Sequence, residues 1–160
     1  MSNLSIGLSL GQFGRLGIMK ITIPGTASAP LPRRSKRGGT SVLVSFSGGK
    51  VLFDCGPGVP QRIIDSGTDL WEIDSLFLTH HHYDHTSDLG LFVMGRWEWS
   101  LFHALDGHEL APQLDIYGPP RTEHMVHLLF GEDGFYSNDI ASRIRGEGER
   151  LYARFGLILI

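Results

Sequence analysis

Cysteine is nearly absent from this chain. Cys55 is the single one among 160 residues, so no internal disulfide can form. That suits a reducing compartment, and a cytoplasmic location is expected. No run of apolar residues reaches the length a membrane-spanning helix needs, so no membrane partner is expected. Residues 1–16 lack a basic segment followed by an apolar one, so no secretory signal is expected. Neither sign of charge dominates. With a formal net charge of -3 nothing global argues for nucleic acid, although a local basic patch would suffice to bind it. Internal repeats and low-complexity segments are also missing. What is present, 41% hydrophobic residues, is enough for one globular domain with a proper core.

The first residues are rich in Gly, Ser and Leu and show little periodicity. Residues 1–17 are therefore expected to be a disordered extension and 18–160 a single domain, with either Met19 as the natural start or the preceding residues a real, poorly ordered arm. Ile18–Ile23 reads as a strand. Pro24 to Gly39 reads as a loop broken by Gly25, Pro30, Pro32, Gly38 and Gly39, and it carries Arg33, Arg34, Lys36 and Arg37. That basic run is either a solvated loop or a contact for a phosphate-bearing substrate.

Thr40–Phe46 and Val51–Phe53 are β-rich and joined through Gly48-Gly49, a hairpin signal. Pro60–Ser66 is a short helix closed by Gly67, and Asp74–Thr79 a strand. Ser87 to about Leu105 is helical, with Ser87 as N-cap and Leu89, Phe92, Val93 and Leu101 on its core face; Trp97 and Trp99 read as packing residues. Leu114–Tyr117 is a further strand stopped by Gly118-Pro119-Pro120. Arg121–Phe130 and Asn138–Ile144 are helix candidates. Strands alternating with helices after a hairpin predict an α/β layered fold, with functional loops past the C-terminal ends of the strands.

The chemistry concentrates in Thr79-His80-His81-His82-Tyr83-Asp84-His85. Four side chains able to bind a metal, His80, His82, Asp84 and His85, fall within six positions. They follow the apolar run Leu76-Phe77-Leu78. Alternation along a strand would turn His80 and His82 the same way, and the loop beyond would fold Asp84 and His85 toward a second point. Imidazoles with a carboxylate suit zinc, and also iron or manganese. Two ions close together would polarise a substrate and make hydroxide at neutral pH. A histidine-rich surface loop is the plainer alternative.

His80-x-His82-x-Asp84-His85 resembles the signature of the metallo-β-lactamase superfamily. Pro24-Gly25-Thr26-Ala27-Ser28-Ala29-Pro30 is similar to the loop after the first strand in its ribonuclease Z and arylsulfatase-like branch. Leu52-Phe53-Asp54-Cys55-Gly56-Pro57-Gly58, with Gln61 after it, and Leu114-Asp115-Ile116-Tyr117-Gly118-Pro119 resemble the branch's later segments in the same order. The resemblance implies an αβ/βα sandwich, built from two similar halves around a dinuclear metal site. It places His80 and His82 on one ion and Asp84 and His85 on the other, with two divalent ions, zinc first, as cofactors. It gives Asp84 a catalytic part in proton transfer and Asp54 a place behind the ligands, orienting them. It also implies hydrolysis of an ester-type bond, a phosphodiester or sulfate ester, in a small-molecule ester or a nucleic-acid phosphodiester substrate.

The chain departs from that pattern downstream. The family's third histidine, bridging aspartate and last histidine lie in its second half, whereas the later candidates here are His103, His108, His124, His127, Asp133 and Asp139. His124 and His127 are three apart on a helix, so they share a face and are expected to be exposed or partly packed. The apolar end, Gly156-Leu157-Ile158-Leu159-Ile160, follows a segment that resembles the lead-in to the second half. The expectation is an N-terminal half only, with an uncovered apolar face that invites pairing with another chain, such as a homodimer. An inactive fragment, or a module that needs a partner half, is the competing function.

Overall fold

The computed structural model describes residues 18–28 and 37–145. The extension over 1–17, most of the basic run (Arg33, Arg34 and Lys36) and the segment from Gly146 to Ile160 lie outside the described residues.

Six strands form one sheet in the order β2-β1-β3-β4-β5-β6. They are β1 (Lys20–Ala27), β2 (Gly38–Gly39), β3 (Ser41–Phe46), β4 (Gly49–Phe53), β5 (Ser75–Phe77) and β6 (Asp115–Tyr117). The helices are α1 (Val59–Asp65), the short α2 (Tyr83–Thr86), α3 (Leu89–Leu105), α4 (Thr122–Phe130) and α5 (Ser137–Arg145). β1, β3 and β4 are an antiparallel meander, and β4, β5 and β6 run parallel. The switch follows from the connections. A tight turn can only reverse the chain, whereas α1 and α3 are long enough to carry it back for a parallel strand.

The first strand runs four residues beyond the expected Ile23. Pro24 lacks an N–H, yet the strand continues because its pairing with β3 slips between Thr22 and Gly25. Gly25 then pairs with Gly38 of β2, in what the sequence presents as a loop. A Cβ on Gly25 would collide with the Gly39 carbonyl, so only glycine allows that approach. The hairpin is tighter than expected. Phe46 pairs with Gly49, leaving Ser47 and Gly48 as a two-residue turn, and Gly49 takes φ 147° inside the strand.

Alternation along the strands sorts the sheet into two faces. Leu43, Leu52 and Leu76 point to the helices and are fully buried against Val59 and Ile63 of α1 and Leu89, Phe92 and Val93 of α3. On the opposite face Phe53, Phe77 and Tyr117 stand side by side on β4, β5 and β6, with ring centroids 5.4 and 4.6 Å apart. Phe53 and Tyr117 remain exposed there, as does Ile23. Among the described residues, helices cover one face of the sheet and leave the other open.

The core face expected for α3 is buried. Trp97 packs inside, whereas Trp99 is exposed, with Phe102 edge-on beside it. Arg96 on the same helix was not foreseen as a core residue. Its Nε donates to the Ile73 carbonyl at 2.9 Å and its Nη2 to that of Pro112 at 2.8 Å, so one arginine ties α3 to the segments leading into β5 and β6. Burial lowers the Arg96 pKa, and the charge of Asp74 opposes the shift. Asp88 rather than Ser87 takes the N-cap position of α3, and its carboxylate turns away to accept the Gly58 N–H at 2.6 Å.

Candidate metal centre

Three loops meet past the C-terminal ends of the parallel strands. β4 leads into Asp54–Gly58, β5 into Leu78–His82 and α2, and β6 into Gly118–Arg121. Backbone hydrogen bonds join them. Asp54 N–H donates to Phe77 O and Leu78 N–H to Tyr117 O, both at 2.8 Å, and Cys55 N–H donates to His85 O at 2.7 Å. Gly56 lies so close to the Asp84 carbonyl that a side chain there would overlap it. The histidine loop is thereby clamped onto the Asp54 loop.

Asp54 is 3% exposed and has φ 58°. Aspartate tolerates this left-handed conformation better than most residues, and the cost is of the order of 1 kcal/mol. The turn aims the carboxylate at the histidine loop. Oδ1 accepts the Thr79 N–H at 2.8 Å, and Oδ2 lies 2.8 Å from His85 Nδ1. The Thr79 hydroxyl lies 2.9 Å from Oδ2, and on its other side it meets His80 Nδ1 at 3.0 Å.

β5 ends at Phe77, short of the predicted strand end, so the histidines sit on the loop rather than on a strand. The loop still gathers them. The His80 ring lies 4.5 Å from that of His82 and 4.0 Å from that of His85, centroid to centroid. Asp84 is buried, on the first turn of α2, and its Oδ2 stands 3.7 Å from His85 Nε2, which is beyond hydrogen-bond length. His80 and His85 are half-buried and His82 is exposed.

The donors are of the right kind for a divalent cation. His85 is anchored through Nδ1 and has Nε2 near the Asp84 carboxylate but in no hydrogen bond among the described residues, the arrangement of a metal-binding imidazole backed by a carboxylate. They fall short in number. Among the described residues no three His, Cys, Asp or Glu side chains come together so as to hold a metal ion. The downstream candidates add nothing to the cluster. His124 and His127 are exposed on α4, as expected, and Asp139 pairs with Arg143. His103 is stacked between Trp71 and His108, with centroids 3.9 and 4.1 Å away.

Cys55 takes no part in such chemistry. Burial, with the charges of Asp88 and Asp54 beside it, pushes its thiol well above the ordinary value, so it packs as a small apolar residue.

Residues 34–137 match the profile of the Metallo-beta-lactamase superfamily. The chain belongs to that family. It is similar to the ribonuclease Z of Mycolicibacterium gilvum (strain PYR-GCK), with 38% identity over 127 residues, which are 79% of this chain and 41% of that protein. It is also similar to the ribonuclease Z of Archaeoglobus fulgidus (strain ATCC 49558 / DSM 4304 / JCM 9628 / NBRC 100126 / VC-16), with 32% identity, covering 84% of this chain and 40% of that protein. Among solved structures it resembles a metallo-beta-lactamase fold protein of Bacillus subtilis, with a TM-score of 0.55 and 22% identity, over 70% of this chain and 42% of that one. The chain thus spans about 41% of the first of these relatives. The family binds divalent metals, usually zinc. Within this metallo-beta-lactamase chain the helix-backed sheet is one layer of the expected sandwich.

Two residues of the centre escaped the sequence reading. Thr79 precedes the histidines as an ordinary strand residue, and only the fold sets its hydroxyl between Asp54 and His80. His81, one of the intervening residues of the motif, reaches the Thr122 hydroxyl at 2.9 Å and so ties the loop to α4. Nothing local in the sequence announces that contact, because the residues lie on a loop and strand alternation does not govern them.

Proposed function

We propose that this chain carries half of the active site of a metal-dependent hydrolase acting on an ester-type bond, with a phosphodiester as the first substrate class and a sulfate ester or small-molecule ester as others. The observation that carries the reading is the His80–His82–His85 cluster, with His85 held by a buried Asp54, in a chain similar to ribonucleases Z. His80 and His82 would hold one divalent ion, Asp84 and His85 a second, with zinc favoured over iron or manganese. When bound, such ions polarise the substrate and make hydroxide available at neutral pH. The chain's own part is to fix imidazole orientation through Asp54 and to offer the Asp84 carboxylate as a proton acceptor. A cytoplasmic location belongs to this reading.

A second reading rests on the incomplete donor set and on the 41% coverage. In it the chain is inactive alone and works when its open Phe53–Phe77–Tyr117 face is covered by a partner half or a second copy. Metal analysis of the purified chain, with turnover of bis(p-nitrophenyl) phosphate, separates the two. Two equivalents of divalent metal, with turnover abolished in Asp84→Ala, support the hydrolase. Neither metal nor turnover in the isolated chain leaves the second reading.

A further inference from the structure

The buried Asp54 carboxylate touches two residues of the histidine segment, His85 through its ring and Thr79 through both its N–H and its hydroxyl. A carboxylate has no proton to give, so the hydrogen between Thr79 Oγ1 and Asp54 Oδ2 must come from the hydroxyl. Thr79 has only that one hydroxyl hydrogen. Its oxygen, 3.0 Å from His80 Nδ1, is left with lone pairs alone, so the hydrogen in that second contact must sit on the imidazole. The reverse arrangement, with Thr79 donating to His80, would replace a charge-assisted hydrogen bond by a neutral one about half as strong.

We propose that Thr79 is a positioning residue that relays the Asp54 carboxylate to His80, and so sets the His80 tautomer with hydrogen on Nδ1 and a free lone pair on Nε2. One buried carboxylate then orders two imidazoles in the same sense, His85 by direct contact and His80 through one hydroxyl. Both present Nε2 as the free nitrogen. Their rings are 4.0 Å apart, so a common orientation matters, because a wrong tautomer at His80 would put an N–H where a cation is to be bound. His82 has no such support among the described contacts. It is exposed, and its carbonyl is engaged by the His85 N–H and the Thr86 hydroxyl.

The inference builds on the proposed metal site, but its first test needs no metal. Long-range proton–nitrogen NMR on the nitrogen-15-labelled chain, at a pH where His80 is neutral, reads the tautomer of each histidine. The expected result is hydrogen on Nδ1 of His80 in the wild type, lost to a mixture or to the Nε2 form in Thr79→Val and retained in Thr79→Ser. An Nε2–H tautomer for wild-type His80, or an unchanged one in Thr79→Val, overturns the relay. The second readout is zinc affinity by competition with a chromophoric chelator. Thr79→Val should weaken it by about 10- to 100-fold, the usual cost of removing a group behind a ligand, and Thr79→Ser should restore it to within about threefold. Equal affinities in the two variants overturn the role of the hydroxyl. A wild type with the Nδ1–H tautomer and no zinc affinity refutes the metal site while leaving the relay standing.

Discussion

Asp54 Oδ2 and His85 Nδ1 lie 2.8 Å apart across 31 residues of sequence, and this contact fixes the centre. The carboxylate reaches the imidazole because Asp54 takes a left-handed turn just past the end of β4, while His85 lies within the short helix α2. Replacing Asp54 by Ala should weaken zinc binding by about 10- to 100-fold, the range for groups behind a metal-binding histidine. Asp54→Asn keeps a residue that accepts the turn and an oxygen that accepts from His85, so it should fall between Ala and wild type. Competition with a chromophoric chelator checks the order, and Ala matching wild type contradicts it.

The two faces of the sheet predict unequal tolerance. Leu76 is fully buried between α1 and α3, so Leu76→Ala should cost about 2–5 kcal/mol in urea unfolding. Ile23 on the open face is 53% exposed, and Ile23→Thr should cost roughly 1 kcal/mol or less. Equal losses would mean that the open face is covered in solution.

Glu72 supplies a pH dependence away from the centre. Burial alone would push its carboxyl up. Hydrogen bonds from Lys50 Nζ at 2.7 Å and from the Asp69 N–H at 2.9 Å, with the charges of Lys50 and His103, hold it below the ordinary glutamate value. A carboxyl depressed in the folded state contributes stability above its unfolded pKa and loses it as pH falls through the folded one. Wild type should therefore exceed Glu72→Gln in stability near pH 7 by less than about 1 kcal/mol, since the pair is partly solvated. The difference should vanish as the pH drops below roughly 4. Chemical denaturation at several pH values checks both sign and window.

Much of this was legible in the sequence, and the reasons differ from place to place. The parallel strands, α1 and the α3 core face follow from alternation and helical periodicity, which are local. β2 and the extension of β1 were not readable, because they depend on Gly25 meeting Gly38, a contact between residues thirteen apart that no local pattern announces. The run of His80, His82, Asp84 and His85 stood out as a candidate site because four donors within six positions are rare. Thr79 stayed hidden, since a hydroxyl gains its role only when a distant carboxylate is turned toward it. Arg96 escaped for the same reason: its partners are carbonyls of Ile73 and Pro112, and carbonyls carry no residue identity.

The central claim is that His80, His82, Asp84 and His85 form a divalent metal site whose imidazoles are ordered by Asp54. Calorimetric titration of the metal-free chain with zinc tests it most directly, alongside His80→Ala, His82→Ala, Asp84→Ala and His85→Ala. The account predicts saturable binding in the wild type and a loss of at least about tenfold in affinity for every one of the four, against no change in His124→Ala, whose side chain is exposed on α4. Zinc binding that is absent in the folded wild type, or that survives all four substitutions, would contradict it.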